Sequence, residues 1–493
     1  MKPLRKSTQI ALVLLSLSLG LLAAAVNIGN LQPFRDPTGY VATYNTAGDI
    51  DENNEFFQPL GTNGRTCATC HQADQAFGLN ARHVQQLFSQ THGDDPLFAP
   101  VDGANCPDAG KEDAAGHSLL LKNGLIRVGI TLPANTEFNI TVVHDPYGCA
   151  VTIDPTTGRQ IISMYRRPLP TTNLGFLSAV MSDGRETHLP LTDESTFKAN
   201  LISDLNHQAL DALLIHSQAK DPPTDEQLSE IVAFELGLFT AQLSDDRAGP
   251  LFDGGGKGGP LYLQAQPYYP GVNDSLGQDP HGRKFDPHVF NLYTQWLGAN
   301  ANDSPADAAE QRAARAEIAA GESLFNTAPL KITAVRGLND NPSLGNPKEI
   351  SGTCTTCHDT PGVGDHSLPL PLDIATSHSL QEEIDPTIAA ALAELSVPDL
   401  PVYLVTNCPN PQDAGQKLQF YTSDPGKGLI TGKCSDVNRI KGPIVRGLAA
   451  RAPYFHNGAA ANLDELVDFY NQRFQMQLTN LQKKELIAFL NSL

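Results

Sequence analysis

The sequence is poor in basic residues, because 34 Lys and Arg stand against 54 Asp and Glu, and the formal charge is −20 over 493 residues. A nucleic-acid-binding protein needs a basic surface, so this class of function is excluded. Charged residues make up only 18% of the chain and hydrophobic residues 40%, which is typical of a globular protein and not of a disordered one. The acidic surface suits a basic partner protein, and equally suits simple solubility.

Long apolar runs are absent after the N-terminus. Basic residues among the first six positions precede an apolar stretch at 10–22, and small residues follow at 23–25. This order is the pattern of a secretory signal peptide, which we place at 1–25. The apolar stretch is short for a membrane span. We therefore expect a periplasmic protein that keeps no stable membrane span after the signal peptide is cleaved.

Cysteine is scarce, with eight residues in the chain, and four of them belong to two Cys-x-x-Cys-His motifs. The two groups are Cys67, Cys70 and His71, and then Cys354, Cys357 and His358. Thiols at this spacing lie on one side of a helical turn and can bond the two vinyl groups of a haem, while the adjacent imidazole binds the iron. A redox disulfide or half of a zinc site needs no histidine at that position. The motif thus predicts two covalently bound c-type haems, each with its own proximal histidine.

The remaining four cysteines fall into two local pairs. Cys106 and Cys149 form one pair, and Cys408 and Cys434 form the other. In an oxidising compartment such pairs favour disulfides, although the sequence leaves other pairings open.

The separation of the two haem motifs predicts two haem domains. We expect both domains to be cytochrome c-like and the chain to be mainly α. We place the first domain at 26–248 and the second at 307–493, joined by a Gly-rich connecting region at 249–306. β-rich runs predict a small β insertion at about 118–166, which enlarges the first domain.

Helical spacing returns at 200–242, after the predicted insertion. One face there carries apolar residues that end with Leu236 and Phe239. Glu235 falls on the same face. An acid there is either paired at the edge of the core or functional, and we favour the first interpretation.

Several segments together resemble the bacterial di-haem cytochrome c peroxidases and their MauG-type relatives. The segments are the two haem motifs, Arg167-Pro168 through Asp183-Gly184-Arg185, and Ala452-Pro453-Tyr454-Phe455-His456-Asn457-Gly458, continuing to Tyr470. The last of these, a Pro-Tyr-Phe-His-Asn-Gly signature after the second haem motif, is the most specific.

The resemblance implies a role for each haem. The N-terminal haem, held by His71, would react with hydrogen peroxide, and the C-terminal haem, held by His358, would relay electrons. The electrons would come from a small redox donor protein such as a cytochrome c or a cupredoxin. Around the cofactors, Arg185 and Arg446 are expected to pair with haem propionates, and His456 is expected to lie at the second haem.

A peroxidase also needs a base that moves a proton between the peroxide oxygens. Gln208 matches a glutamine that the family places near the open iron position, but Gln218 stands where the family has its glutamate. His216 and Glu186 are the alternative bases, and a surface role remains open for each of them.

Three positions depart from the peroxidase pattern. Tyr470 replaces the methionine that is the distal ligand of the relay haem, as in MauG-type proteins, and Met476 is the alternative ligand. Ser182 replaces the tryptophan that lies between the haems, and the lone Trp296 lies elsewhere in the sequence. Arg451 replaces the threonine of the family's calcium site, so a calcium ion is a weaker expectation than the haems.

Other functions remain open from the sequence. A non-enzymatic electron-transfer cytochrome would have two six-coordinate haems. A MauG-like or rubber-oxygenase-like protein would oxidise a different substrate. Binding of carbon monoxide to the reduced protein separates the electron carrier from the enzymes.

Overall fold

The structure is a computed structural model that describes residues 28–298, 309–380, 385–410 and 413–493. The predicted signal peptide at 1–25 and the last residues of the predicted connecting region, 299–306, lie outside these ranges. Within them the chain forms ten α-helices and twelve β-strands. The expectation of a mainly α chain is therefore wrong in proportion, and the fold is a mixture of helices and strands.

The helices are α1 (Ala81–Thr91), α2 (Ser118–Asn123), α3 (Glu194–Ile215), α4 (Asp225–Leu236), α5 (Pro260–Gln264), α6 (Ala309–Thr327), α7 (Pro386–Leu392), α8 (Gly428–Thr431), α9 (Leu463–Arg473) and α10 (Asn480–Asn491). The strands are β1 (Phe34–Arg35), β2 (Gly39–Asn45), β3 (Ile126–Thr131), β4 (Asn139–His144), β5 (Val151–Ile153), β6 (Gln160–Arg166), β7 (Leu238–Asp245), β8 (Gly249–Pro250), β9 (Leu330–Ile332), β10 (Ile350–Gly352), β11 (Val402–Asn410) and β12 (Asp413–Thr422).

The strand β7 begins where helical spacing had been predicted to continue. It belongs to a four-stranded antiparallel sheet with the strand order β1-β2-β7-β8. The helix α4 ends at Leu236, and Phe239 lies in β7 opposite Tyr44 of β2. The side chain of Asn173 also bonds both backbone groups of Thr240, at 3.0 Å each. These distant partners extend the backbone, so the helical interpretation of Phe239 is wrong.

The predicted β insertion contains four strands, three of which form the sheet β3-β6-β5. The fourth, β4, pairs instead with β11, whose own partner is β12. The pairing between β4 and β11 joins the two halves of the chain. Both predicted cysteine pairs lie at disulfide distance, with Cα–Cα separations of 5.9 Å for Cys106–Cys149 and 5.4 Å for Cys408–Cys434.

Two hydrophobic cores support the two haem motifs. The first packs α3 and α4 around Phe56 and Phe77, and Cys67 lies at its edge. The second packs α6 against α10 around Phe325 and Phe489, and Cys354 lies at its edge. The helices α6 and α10 approach closely at Gly321, where an added Cβ would lie 1.9 Å from the carbonyl oxygen of Glu485.

None of the helices in the described part of the chain combines the length and apolarity that crossing a membrane requires.

Candidate functional site

The two cysteine–histidine motifs fold into the same short turn. Each forms a 3-10 turn, at Cys67–Thr69 and at Cys354–Thr356. A threonine precedes each turn, and its backbone N–H donates to the hydroxyl of a second threonine three residues later, at 3.0 Å in both turns. Sequence reasoning missed this signal, although both segments read Thr-Cys-x-Thr-Cys-His.

The four thiols of these turns are not disulfide-bonded. Burial raises the pKa of Cys70 to about 11 and the pKa values of Cys354 and Cys357 to about 12. Burial also raises the pKa of Cys67 well above its ordinary value. All four sulfurs are therefore neutral at pH 7 and free of disulfide bonds, which leaves them available for thioether bonds to a haem.

The histidine that ends each motif is partly buried and neutral. Burial lowers the pKa of His71 to about 4, and it lowers the pKa of His358 as well. Nδ1 of His358 lies 2.6 Å from the carbonyl oxygen of Gly364. Because a carbonyl oxygen only accepts, Nδ1 carries the proton and Nε2 keeps its lone pair for a metal.

Each motif opens on its own apolar cavity. The first cavity has a volume of about 200 Å³ and is lined by Cys67, Cys70 and His71. The second has a volume of about 270 Å³ and is lined by the matching residues of the second motif. Paired thiols, a neutral imidazole and mainly apolar walls in both cavities fit two c-type haems.

The two cavities share a wall built from two segments that are distant in sequence. Seven residues line both cavities: Pro168, Leu169, Pro170, Lys441, Pro443, Ile444 and Arg451. Ser182 lines the second cavity only. Trp296 is buried elsewhere, stacked on Tyr293 with ring centroids 4.6 Å apart. Among the described residues, the shared wall thus contains no aromatic side chain.

Two of the three predicted proton-handling residues line the first cavity. Gln208 reaches it from α3, and His216 reaches it from the residue that follows this helix. Nδ1 of His216 contacts Asp102, whose other oxygen contacts Arg65. Glu186 is not among the lining residues, and its carboxylate lies 2.8 Å from Nδ1 of His207.

Glu235 lies in the first cavity, although the sequence analysis placed it at the edge of the core. It lines the first cavity from α4, and its Oε2 atom is buried without a hydrogen-bond partner. Burial raises the pKa of Glu235 to about 8. The interpretation as a paired acid at the core edge is therefore wrong. The signal that we underweighted was an acid on an otherwise apolar helix face.

Tyr470 and Met476, the alternative distal ligands, both line the second cavity. Burial raises the pKa of Tyr470 far above its ordinary value. Because both side chains line the same cavity, either of them can be the distal ligand.

The predicted propionate-binding residues line neither of the two cavities. Arg185 lies 3.2 Å from a carboxylate oxygen of Asp183. Arg446 donates to the carbonyl oxygen of Gly362, and its Nη1 atom is buried without a partner. By contrast, His456 lines the second cavity, with Nε2 3.2 Å from the hydroxyl of Ser377.

The position that the resemblance assigns to calcium holds a cationic side chain. Nη2 of Arg167 donates to the carbonyl oxygen of Arg451 at 2.9 Å and also to that of Leu79. A fixed guanidinium beside this oxygen repels a second cation. The residues present therefore do not fit a calcium ion at this place.

Comparison with protein-family models gives no match. Among curated proteins, the chain is similar to a protein named cytochrome-c peroxidase IdrP2 from Denitromonas iodatirespirans. The two are 35% identical over 100 residues, which is 18% of this chain and 25% of that protein. A protein named cytochrome-c peroxidase IdrP1 from Pseudomonas sp. (strain SCT) is 29% identical over 120 residues, 20% of this chain and 32% of that protein. The matches thus span about a third or less of these relatives.

One solved structure, described as a MauG-like protein associated with microbial copper homeostasis, aligns with 89% of this chain and 87% of its own. Its identity is 13% and its TM-score is 0.31, too low to support an inference about this chain. At low identity and over part of its length, the chain is therefore similar in sequence to proteins named cytochrome-c peroxidases.

Proposed function

We propose that this chain is a periplasmic di-haem c-type cytochrome that reduces hydrogen peroxide at its N-terminal haem, with electrons relayed by its C-terminal haem. The observation that carries the proposal is the pair of matched cysteine–histidine turns, each on its own buried cavity, with one shared wall. A bound haem supplies an iron that binds peroxide and exchanges single electrons.

The residues of each turn anchor and orient the cofactor. Cys67 with Cys70, and Cys354 with Cys357, would each hold one haem through two thioether bonds. His71 and His358 would bind the two irons. The bond from His358 to Gly364 fixes the ring, and this lets Nε2 point into the cavity.

The shared wall supplies positive charge between the two cavities, where it would neutralise anionic groups of a bound cofactor. Arg451 lines both cavities, and burial lowers its pKa to about 10, so it stays protonated at pH 7. Burial also lowers the pKa of Lys441, while Asp365 opposes this shift. We assign the neutralisation of haem carboxylates to Arg451 and Lys441, in place of Arg185 and Arg446.

His216 is the group that we assign to proton transfer in the first cavity. Its Nδ1 atom is held by Asp102, which leaves Nε2 to take a proton from peroxide and return it to the departing oxygen. Gln208 lines the same cavity and can orient the peroxide by hydrogen bonding.

A second candidate function is favoured by one observation. Tyr470, where the family's peroxidases have methionine, lines the second cavity. A tyrosine ligand is the MauG-type arrangement, so the oxidised substrate would be a protein side chain or an apolar compound, and not a small redox donor.

The test is performed on the full chain, exported and loaded with haem. We expect a mass that exceeds the mature polypeptide by two haems, and peroxide turnover with a reduced small cytochrome as donor. Cys67→Ser/Cys70→Ser removes the first haem, and Cys354→Ser/Cys357→Ser removes the second. Both variants lose steady-state turnover of peroxide. Only the variant without the first haem also loses the single-turnover reaction with peroxide.

Two results contradict the proposal. A protein without covalent haem removes its basis. Two haems that bind neither peroxide nor carbon monoxide identify an electron carrier. Oxygen uptake without peroxide turnover supports the second candidate.

A further inference from the structure

A buried group of two carboxylates and one imidazole lies beside the second haem motif. Asp359 directly follows His358, His366 lies seven residues further on, and Asp274 comes from the loop after α5. Potential ligand atoms of Asp274, Asp359 and His366 all lie within 4.8 Å of one another. All three side chains are almost completely buried, with exposed fractions of 4% for His366 and 0% for both aspartates.

Hydrogen bonds satisfy only part of this group. The backbone N–H of Ser367 donates to Oδ1 of Asp359 at 2.9 Å, and that of Gln278 donates to Oδ2 of Asp274 at 2.7 Å. Oδ2 of Asp359 accepts from the backbone N–H of Ser275 at 3.0 Å. By contrast, Oδ1 of Asp274 and Nε2 of His366 are buried and make no hydrogen bond, although Nε2 lies 3.1 Å from Oδ2 of Asp359. These two unpartnered atoms lie 3.9 Å apart.

The group also lacks an arginine or lysine counter-ion. Across the described residues, neither Asp274 nor Asp359 forms an ion pair with a basic side chain other than His366. Two buried carboxylates without positive charge are strongly unfavourable, because ions lose their solvation on burial. A bound cation would supply the charge and fill the open positions of the unpartnered atoms.

The donors are held in place before any ion binds. The amide of Asn273 donates to the backbone carbonyls of Asp359 and Asp286, at 3.0 and 2.9 Å. The hydroxyl of Ser275 donates to the carbonyl oxygen of Thr356 at 2.7 Å. The loop that carries Asp274 is therefore bonded to the haem-motif turn on both sides of this residue.

We propose that Asp274, Asp359 and His366 bind a divalent transition-metal ion, and that the ion is zinc. Two carboxylate oxygens with one imidazole nitrogen form a donor set suited to zinc, with manganese as the nearest alternative. Ligands of tetrahedral zinc lie about 3.3 Å apart for bonds near 2.0 Å. Nε2 of His366 lies 3.1 Å from Oδ2 of Asp359 and 3.9 Å from Oδ1 of Asp274, which brackets this spacing.

A second group, Glu186, His188 and His207, also has three donor atoms close together. Its two histidines are about half exposed, and Oε2 of Glu186 already accepts from His207 at 2.8 Å. Since its donors pair with each other, this group carries no proposal and provides a matched control.

The experiment measures metal content in the full, haem-loaded protein purified without chelator. Elemental analysis is expected to give one zinc per chain beside the haem iron. After chelator treatment, calorimetric titration with zinc is expected to restore one site. Asp274→Asn and His366→Gln should each weaken zinc binding by more than about 10-fold, whereas His188→Gln should leave it unchanged.

Three results overturn the zinc site. They are a chelated wild-type protein that binds neither zinc nor manganese, wild-type zinc binding that survives in both variants, and binding of calcium alone. The first result would mean that a protonated His366 is the counter-ion. Should a variant not fold, the wild-type titration alone decides. Because haem is read separately from the Soret band, failure here leaves the proposed peroxidase function untouched.

Discussion

His216 and Asp102 contact each other inside the first cavity, through Nδ1 of the ring and Oδ2 of the carboxylate. Burial by itself would raise the pKa of Asp102, but the hydrogen bond from His216 and the charge of Arg65 outweigh it and lower this pKa. An ionised Asp102 fixes the proton on Nδ1. Because Nδ1 carries the proton, Nε2 of His216 has a free lone pair that can accept a proton from a ligand in the cavity.

Replacing His216 with Gln should slow the reaction with peroxide by about 100-fold, because loss of a positioned base removes at least that factor. Asp102→Asn keeps the ring but loses its anchor, so we expect a smaller loss and a shifted pH profile. The rate constant is measured by stopped-flow absorbance of the oxidised protein mixed with peroxide.

The matched control for His216 is His188→Gln, a histidine about half exposed outside the lining of the cavity. It should react at the wild-type rate. If His216→Gln also reacts at that rate while Glu235→Gln does not, Glu235 is the base and His216 is not.

The contiguous part of the site could be predicted from the sequence, and the part assembled by tertiary contacts could not. Cysteine–histidine turns need residues at fixed short spacing, so Cys67 to His71 and Cys354 to His358 were recognisable. Asp102 lies 114 residues from His216, and nothing in its own segment marks it. The shared wall likewise joins Pro168 to Lys441, which only the fold brings together.

The same limit explains the strands that were missed. The runs that form β3 and β4 are β-rich and bounded by turn residues, so they could be predicted locally. The strand β7 follows α4 directly, and its extended form depends on β2 and on Asn173. Local apolar periodicity carries no information about such distant partners.

Arg166 is the cation of a buried network, and its removal should destabilise the fold. It lies 2.5 Å from Asp183 and 2.6 Å from Asp424, and all three side chains are at most 4% exposed. Arg166→Met leaves the buried carboxylate of Asp424 without its arginine and that of Asp183 with Arg185 alone, so we expect a loss of about 3–5 kcal/mol in unfolding free energy. Chemical denaturation followed by circular dichroism measures this.

The control for Arg166 is Arg247→Met, which breaks an exposed pair with Glu317. Such surface pairs contribute about 0–1 kcal/mol. Equal losses in the two variants would show that the Arg166 network does not stabilise the fold.

Glu235 should make the protein less stable as pH rises. Its carboxyl has an ordinary pKa of 4.5 and a pKa of about 8 when folded, because of burial. Between these values the unfolded chain has released the proton and the folded chain keeps it, so rising pH favours unfolding. From pH 6 to pH 8 we expect a loss of about 2 kcal/mol in unfolding free energy.

Glu235→Gln carries no titrating proton, so its stability should change less over that range, and it should exceed the wild type in stability at pH 8. Denaturant midpoints at pH 6 and pH 8 measure both effects. Parallel pH profiles for the two proteins would mean that Glu235 is ionised in the folded state.

Tyr470 should be the distal ligand of the second haem. Both Tyr470 and Met476 line that cavity. A phenolate is a hard anion that favours ferric iron, whereas a thioether raises the potential. Removing the phenolate by Tyr470→Phe should therefore raise the midpoint potential of this haem, by on the order of 100 mV. It should also change the spin-state signal of that haem in electron paramagnetic resonance.

Met476→Leu, which keeps the apolar packing, should alter neither measurement. The reverse result, a changed spectrum only in Met476→Leu, would assign the ligand to Met476 and place this protein with the methionine-ligated peroxidases instead of the MauG-type proteins.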